Sequence, residues 1–315
     1  MLASARAFLA GILDYAGMFP PAKLPLRDAL ANFLHYRQTS PHAWMLNRFV
    51  CPAARLSELS AILRETKDAP HVRITALGQQ SRDMDHIPER LEEDVTAIGA
   101  FRETCEEAAS VDVLEMTFPM NSNAMPPALA VDAIRTRVGA ASLRAFLEVP
   151  CGPSWRTGVD ELSRLLDHPA KSQNVGMKLR CGGTVPEAFP SAEEVAHFVT
   201  ACRAAMLPWK ATAGLHHARP VWDDSLKVWQ HGFLNVFVAA CLALVHPLRE
   251  SDIVEILLDR ECRHLRFADD EIAWKNWTCS SDQITRVRRH ELSSFGSCSF
   301  VEPCADLLAM GLIDG

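Results

Sequence analysis

Apolar and polar positions along the chain fall into two alternating patterns. A short apolar or β-branched run comes first, then a polar turn, then a stretch with apolar residues at helical spacing. "AWMLNRFVC" is followed by "PAARLSELSAILRET", and "HVRITAL", after a loop, by "ERLEEDVTAIGAFRETCEEA". "VDVLEMTF" precedes "PPALAVDAIRTRV", "SLRAFLEVP" precedes "GVDELSRLLDH", and "NVGMKLR" precedes "SAEEVAHFVTACRAAM". "PWKATA" leads through an insertion to "FLNVFVAACLALV", "RHLRFA" to "SSDQITRVRRHEL", and "SSFGSCSF" to "EPCADLLAMGL". Strands alternating with helices argue for a parallel sheet. The eight β-then-α units match the number that closes a (β/α)8 TIM-type barrel. An open doubly wound sheet is disfavoured, because no G-x-G-x-x-G follows an early strand. Residues 1–42 are expected to precede the first strand as an N-terminal helical cap, and residues 43–315 to form the barrel. No Gly-, Ser- or Pro-rich linker divides the chain.

Composition narrows the function classes. Apolar residues are 48% of the 315, enough for a large core. The net charge is −7, with acids and bases mixed along the chain. No basic stripe points to nucleic acid, and no polybasic run to an anionic membrane. The opening "MLASARAFLAGILDYAG" is read as an amphipathic helix rather than a signal peptide, because its apolar run is short and Asp14 ends it. "GFLNVFVAACLALV" is too short, and too interrupted by Asn235, to span a bilayer. Ten cysteines include no C-x-x-C pair, so a structural zinc site is not expected. They read as reduced thiols, and the expected location is the cytoplasm. A homo-oligomer is left open.

Candidate chemistry follows from strand parity. In a barrel of this kind ligand sites lie at the C-terminal ends of the strands. In "GMKLRCGG", Lys178 and Arg180 share one face, and Met177 and Leu179 the other. In "PWKATAG", Lys210 and Thr212 share a face; Glu148 and Glu115 lie near the ends of their own predicted strands. Charges inside a barrel must pair, ligate a metal or meet a charged ligand. A stabilising internal ion-pair network is one reading of them, and a functional cluster the other. In "PWKATAGLHHAR", Gly214 lets the chain turn over the pocket, and His216 and His217 sit on the loop above it. "LDYAGMFPP", with Asp14 and Tyr15, is either a rigid segment over the barrel mouth or a turn with an aromatic plug. In "SFGSCSFVEP", Ser297 is a candidate donor to an anion, while Ser299 and Glu302 fit a capping box. Asp269, at the end of "RHLRFAD", is either a turn residue or a partner for His216.

Two resemblances bear on this reading. "KATAG", Lys210 to Gly214, resembles the K-T-S-T-G of deoxyribose-phosphate aldolases, whose sixth-strand lysine forms a Schiff base. The resemblance implies that role for Lys210, a hydroxyl position for Thr212 and the glycine for Gly214. That family also has a second lysine on strand seven, which "RHLRFA" lacks; Lys178 and Arg180 would then supply the charge that lowers an amine pKa. Over most of the chain, "LDYAGMFPPA", "KATAGLHH" and "FGSCSF" with its following "EP" are similar to a group of bacterial proteins with no activity attached, which implies no function.

The expectation is therefore an enzyme acting on a small anionic carbonyl substrate, a carboxylate or a phosphate, with lyase, aldolase or isomerase chemistry. Lys210 would be nucleophile or base, with Glu148, His216 and Lys178 as further catalytic residues. Arg180, Thr212, His217, Asp14, Tyr15, Glu115 and Ser297 would contact substrate. No cofactor is expected. The alternative is a metal-dependent hydrolase or enolising enzyme, with His216, Glu115 and Glu148 binding a divalent ion. A third possibility is a non-catalytic barrel used for binding.

Overall fold

Three residues, Leu13–Tyr15, form the first barrel strand, β1. In the computed structural model, which describes residues 1–66, 69–167 and 174–315, β1 follows a short helix α1 (Ala3–Leu9) and precedes α2 (Leu26–Thr39). The chain then runs β2 (Leu46–Pro52), α3 (Leu56–Glu65), β3 (Val72–Leu77), α4 (Ile87–Cys105), β4 (Ala109–Thr117) and α5 (Pro127–Ala140). It continues through β5 (Arg144–Glu148), α6 (Trp155–Leu166), β6 (Val175–Arg180), α7 (Ala192–Ala204) and β7 (Trp209–Thr212). His168, the end of one predicted helix, lies outside the described residues. A hairpin, β8 (Val221–Asp223) and β9 (Val228–Gln230), interrupts the rhythm before α8 (Phe233–Val245) and α9 (Glu250–Leu257). A three-stranded antiparallel sheet follows, β10 (Leu265–Phe267), β11 (Glu271–Trp274) and β12 (Trp277–Ser280). The chain ends with α10 (Ser281–His290), β13 (Leu292–Ser297) and α11 (Val301–Ala309). The closed barrel is parallel throughout, in the order β1-β13-β7-β6-β5-β4-β3-β2.

The TIM-type barrel is as expected, but two of its assignments change. The first strand lies inside residues 1–42, so that segment is not only a cap that precedes the barrel. Leu13 and Tyr15 face outward and Asp14 inward, so β1 offers no apolar run to mark it. Conversely, "RHLRFA" is not a barrel strand: β10 pairs antiparallel with β11 in a separate small sheet. Glu148, Lys178 and Lys210 therefore stand on barrel strands five, six and seven.

Outward-facing strand residues make the core between barrel and helices. Trp209 of β7 packs edge-on against Phe198 of α7 and against Phe237 of α8. Phe295 of β13 stacks on Phe233 of α8. Each such side chain contributes about 1.5–3 kcal/mol of burial. Helix α8 is buried from Phe233 to Ala243, packed by α7, α9, α10 and the strands, which explains why it is apolar all round. No helix among the described residues is long and apolar enough to cross a membrane. All ten cysteines are unpaired, and only Cys151 is exposed.

Where β6 passes the end of the preceding β7 connection, a Cβ on Gly176 would lie 2.2 Å from the carbonyl oxygen of Pro208. Backbone must move to admit it. Gly176→Ala should lower the unfolding free energy by roughly 1–3 kcal/mol, read from the urea midpoint.

Candidate active site

The inward residues at the C-terminal half of the strands form one row of alternating charge. Lys210 Nζ lies 2.5 Å from Asp14 Oδ2 and 2.5 Å from Glu115 Oε1. Glu115 Oε2 accepts from Lys178 Nζ at 2.9 Å, and Lys178 Nζ is 2.8 Å from Glu148 Oε2. Glu148 Oε1 accepts from Arg180 Nε at 2.6 Å. Three acids and three bases thus run Asp14, Lys210, Glu115, Lys178, Glu148, Arg180. Register supports the spacing, because Glu148 pairs with Lys178 and Lys178 with Lys210 across adjacent strands.

The two ends of the row differ. Asp14 is fully buried and also accepts from Ser294 Oγ at 2.9 Å, Thr75 Oγ1 at 3.4 Å and the Arg48 backbone N–H at 3.3 Å. It is the partner of Lys210 and is closed to substrate, which corrects the substrate-binding expectation. At the other end the Arg180 side chain is 35% exposed and reaches the mouth. Glu148 Oε2 is buried, and Lys178 Nζ, 2.8 Å away, is its ion-pair partner.

Burial and partners decide the protonation states. Burial alone would push Glu115 up, but Lys178 and Lys210 outweigh it and hold its carboxyl down at about 2. Burial also works against the charged form of Glu148, and Lys178 and Arg180 bring it below the ordinary range. Both lysines lose hydration, yet Asp14 and Glu115 raise Lys210, and Glu115 and Glu148 raise Lys178. All four groups are charged at neutral pH. A Schiff-base role for Lys210 required Lys178 and Arg180 to be its nearest charges. The nearest are carboxylates, so Lys210 rests as an ammonium between two acids at the closed end of the row and does not meet that condition.

The other candidates divide. Thr212 is half-buried beside Arg180 and Gly296 in register, at the mouth. Gly214, with φ +68°, ends the strand turn as expected. His216 Nδ1 lies 3.6 Å from Glu302 Oε2 and 3.8 Å from Cys298 Sγ, and burial lowers its pKa. His216 does not join Glu115 and Glu148, whose carboxylates are bound by cations. Among the described residues no group of three or more His, Cys, Asp or Glu is arranged to hold a metal ion, so the expected ligand set does not form. His217 is tied down: its Nδ1 is 3.1 Å from Asp306 Oδ2, which also accepts from the Ala218 N–H. Tyr15 points away from the site and packs against Phe33, Tyr36 and Phe49. Ser297 is buried, and its Oγ accepts from the Ser299 N–H in a local turn. The Glu302 N–H donates to Ser299 Oγ, but the Ser299 N–H goes to Ser297 Oγ and Phe300 is the N-cap of α11, so the expected capping box does not form. Asp269 accepts from the Ser4 N–H, far in sequence from the His216 loop and on the α1 side. Thr75 and Ser294, which support Asp14, escaped sequence reasoning; their only signal was inward parity on a strand.

No family model matches the chain, and no curated protein matches it. Among solved structures it is similar to a deoxyribose phosphate aldolase from Aeropyrum pernix, described as a unique tetrameric structure, at a TM-score of 0.46 and 10% identity, over 69% of this chain and 85% of that one. At that level the likeness carries nothing about activity. The local resemblance of "KATAG" placed a lysine on strand six; Lys210 is on strand seven, and Lys178 occupies strand six.

Glu115→Gln leaves both lysines with one acid each, and should destabilise the fold by roughly 3–5 kcal/mol in chemical denaturation at pH 7. The pH dependence has a definite sign. Glu115 titrates near 4.5 when unperturbed and at about 2 here, so its contribution is complete above pH 4.5 and is lost as pH falls through about 2. Wild type should lose stability across that window, and Glu115→Gln should lose less; equal slopes would remove Glu115 from the account.

Proposed function

We propose that the chain is an enzyme that moves a proton at a carbon next to the carbonyl of a small anionic substrate, the step shared by lyases, aldolases and isomerases. The observation that carries this is the open end of the charge row. Arg180 reaches solvent there, and the Glu148 carboxylate lies between it and the Lys178 ammonium, 2.6 Å and 2.8 Å away. Arg180 binds the substrate carboxylate or phosphate through its remaining donors, and Thr212 lies beside it. The Lys178 ammonium donates to the carbonyl oxygen. Glu148 takes the proton from the adjacent carbon, and the C–H electrons pass to that oxygen as an enolate. Return of the proton to another atom gives isomerisation; attack of the enolate carbon on an aldehyde carbonyl, whose oxygen then takes up a proton, forms the C–C bond of an aldolase. Substrate draws Arg180 and Lys178 away from Glu148, and those are the cations that hold its pKa down. Glu148 therefore becomes a better base once the site is filled. Lys210 and Asp14 keep Glu115 charged and Lys178 in position.

A second reading is a Schiff base on Lys178. It is favoured by the position of Lys178 next to the open end of the row, one acid away from Arg180. It requires Lys178 to pass its proton to Glu148 or Glu115 before attack.

Small 2-oxo acids and phosphorylated ketones or aldehydes, incubated with the protein in D2O, should exchange protons next to the carbonyl, followed by NMR. Glu148→Gln should slow exchange by about 100-fold or more, and Arg180→Gln should raise the half-saturating concentration about tenfold. Borohydride with the same compounds separates the two readings. No adduct supports proton transfer alone, an adduct on Lys178 selects the Schiff base, and an adduct on Lys210 overturns the assignment of Lys210. If no compound exchanges or traps, the non-catalytic barrel is left.

A further inference from the structure

The opposite end of the barrel carries a second concentration of charge, and it is not balanced. Asp112 of β4 accepts from Arg48 Nε at 2.8 Å and Nη2 at 2.7 Å, and from Arg73 Nη2 at 2.9 Å. Arg144, at the start of β5, faces the same space and has no ion-pair or hydrogen-bond partner among the described residues. These four side chains line a cavity of about 530 Å³, with Ser142 and Ser293 at its wall and Phe146 as its roof. The lining thus holds two positive charges in excess. A second cavity of about 350 Å³ shares Arg48, Arg73 and Arg144 and adds Arg288 and Arg289, with Glu291 as the acid in its lining. Arg288 bonds only to the carbonyl oxygens of Leu292 and Ala10, and its Nε is buried without a partner.

A stabilising role does not account for this arrangement. One acid satisfies Arg48 and Arg73, and a third guanidinium beside them adds repulsion with no compensating contact. Burial and the neighbouring Arg48 disfavour the charged form of Arg144 and outweigh the attraction of Asp112. An anion would reverse each of these costs, and guanidinium forks suit tetrahedral oxyanions. The excess of two charges matches a phosphoryl dianion, and the volume leaves space for the group that bears it. We propose that this cavity at the N-terminal end of the barrel binds a phosphorylated small molecule, its phosphoryl group held by Arg48, Arg73 and Arg144. The site is separate from the mouth, because Phe146 lies between them, 5.9 Å from Lys210 Nζ on one side and lining the cavity on the other.

The test uses the full chain in low-salt chloride buffer, titrated calorimetrically with inorganic phosphate and with glycerol 3-phosphate. Both should bind saturably, and tighter binding of the ester would identify an organic phosphate rather than the free ion as the better occupant. Arg144→Gln should weaken binding about tenfold, the loss expected for one charge-assisted contact. Without phosphate its melting temperature should be no lower than wild type, since the repulsion by Arg48 and the burial cost that are removed outweigh the lost attraction to Asp112. Arg180→Gln, at the mouth, should leave this binding intact, so failure of the proposed function and failure of this site are distinguishable. Arg73→Gln, whose side chain is half exposed, provides a second variant if Arg144→Gln does not fold. Absence of saturable binding, binding abolished by Arg180→Gln alone, or an Arg144→Gln variant that melts lower yet binds as wild type would each overturn the proposal.

Discussion

The carboxylate of Glu115 receives a lysine ammonium on each oxygen, and the barrel interior is organised around that double contact. Neither lysine could remain charged there alone, because the desolvation of a buried ammonium costs several kcal/mol. Alternation solves the problem for the whole row: every internal member has an opposite charge on both sides. The dry end is closed by Asp14, which draws on two hydroxyls and a backbone N–H besides Lys210. The other end cannot be closed in the same way, because Arg180 is the last member and projects toward water. A neutral row of this kind has one position at which an incoming charged group can compete for a partner. That position is Arg180 with Glu148, and the proposed chemistry is placed there for this reason.

The same row explains why β1 has to be a barrel strand. If Asp14 lay in a cap, Lys210 would have only Glu115, an acid it already shares with Lys178. The strand nevertheless leaves almost no trace in the sequence. Three residues cannot display a period of two, and the inward one is an acid. The segment "RHLRFA" misleads in the opposite direction. Its alternation is real, but Leu265 and Phe267 serve a small antiparallel sheet outside the barrel. A count of eight was therefore reached with one strand missing and one in excess.

Parity was the reliable signal for the site. Lys178 with Arg180, and Lys210 with Thr212, face inward because extended backbone alternates sides whatever the fold around it. What parity does not contain is depth or partnership. Lys210 and Lys178 look equivalent in sequence, whereas the structure places one between Asp14 and Glu115 and the other next to the open end. Loop residues carry no period at all. The direction of His217 is set by Asp306, 89 residues away, a contact with no local signature. Tyr15, at the end of the three-residue β1, is turned outward against Phe33 and Tyr36 of α2, and so short a strand does not display its parity. The arginines at the strand starts were equally silent, since Arg48, Arg73 and Arg144 belong to three separate strands and converge only when the barrel closes.

The two ends of the barrel follow opposite electrostatic rules. At the mouth every charge is answered by another, and at the foot the cations outnumber the acids. Arg48 belongs to both ends: its backbone N–H donates to Asp14, and its guanidinium is held by Asp112. Its charge also acts on Asp14 and Glu115 through the low-dielectric interior. An anion at the foot would offset part of that field. The carboxylates of Asp14 and Glu115 would then feel a weaker pull from below, and their hold on Lys210 and Lys178 would carry a larger share of their stabilisation. Phe146 separates the two spaces sterically but not electrostatically, because an aromatic ring does little to screen a charge. An anion held at the foot would therefore act on the charged row at the mouth by Coulomb interaction alone, with no movement of the backbone required.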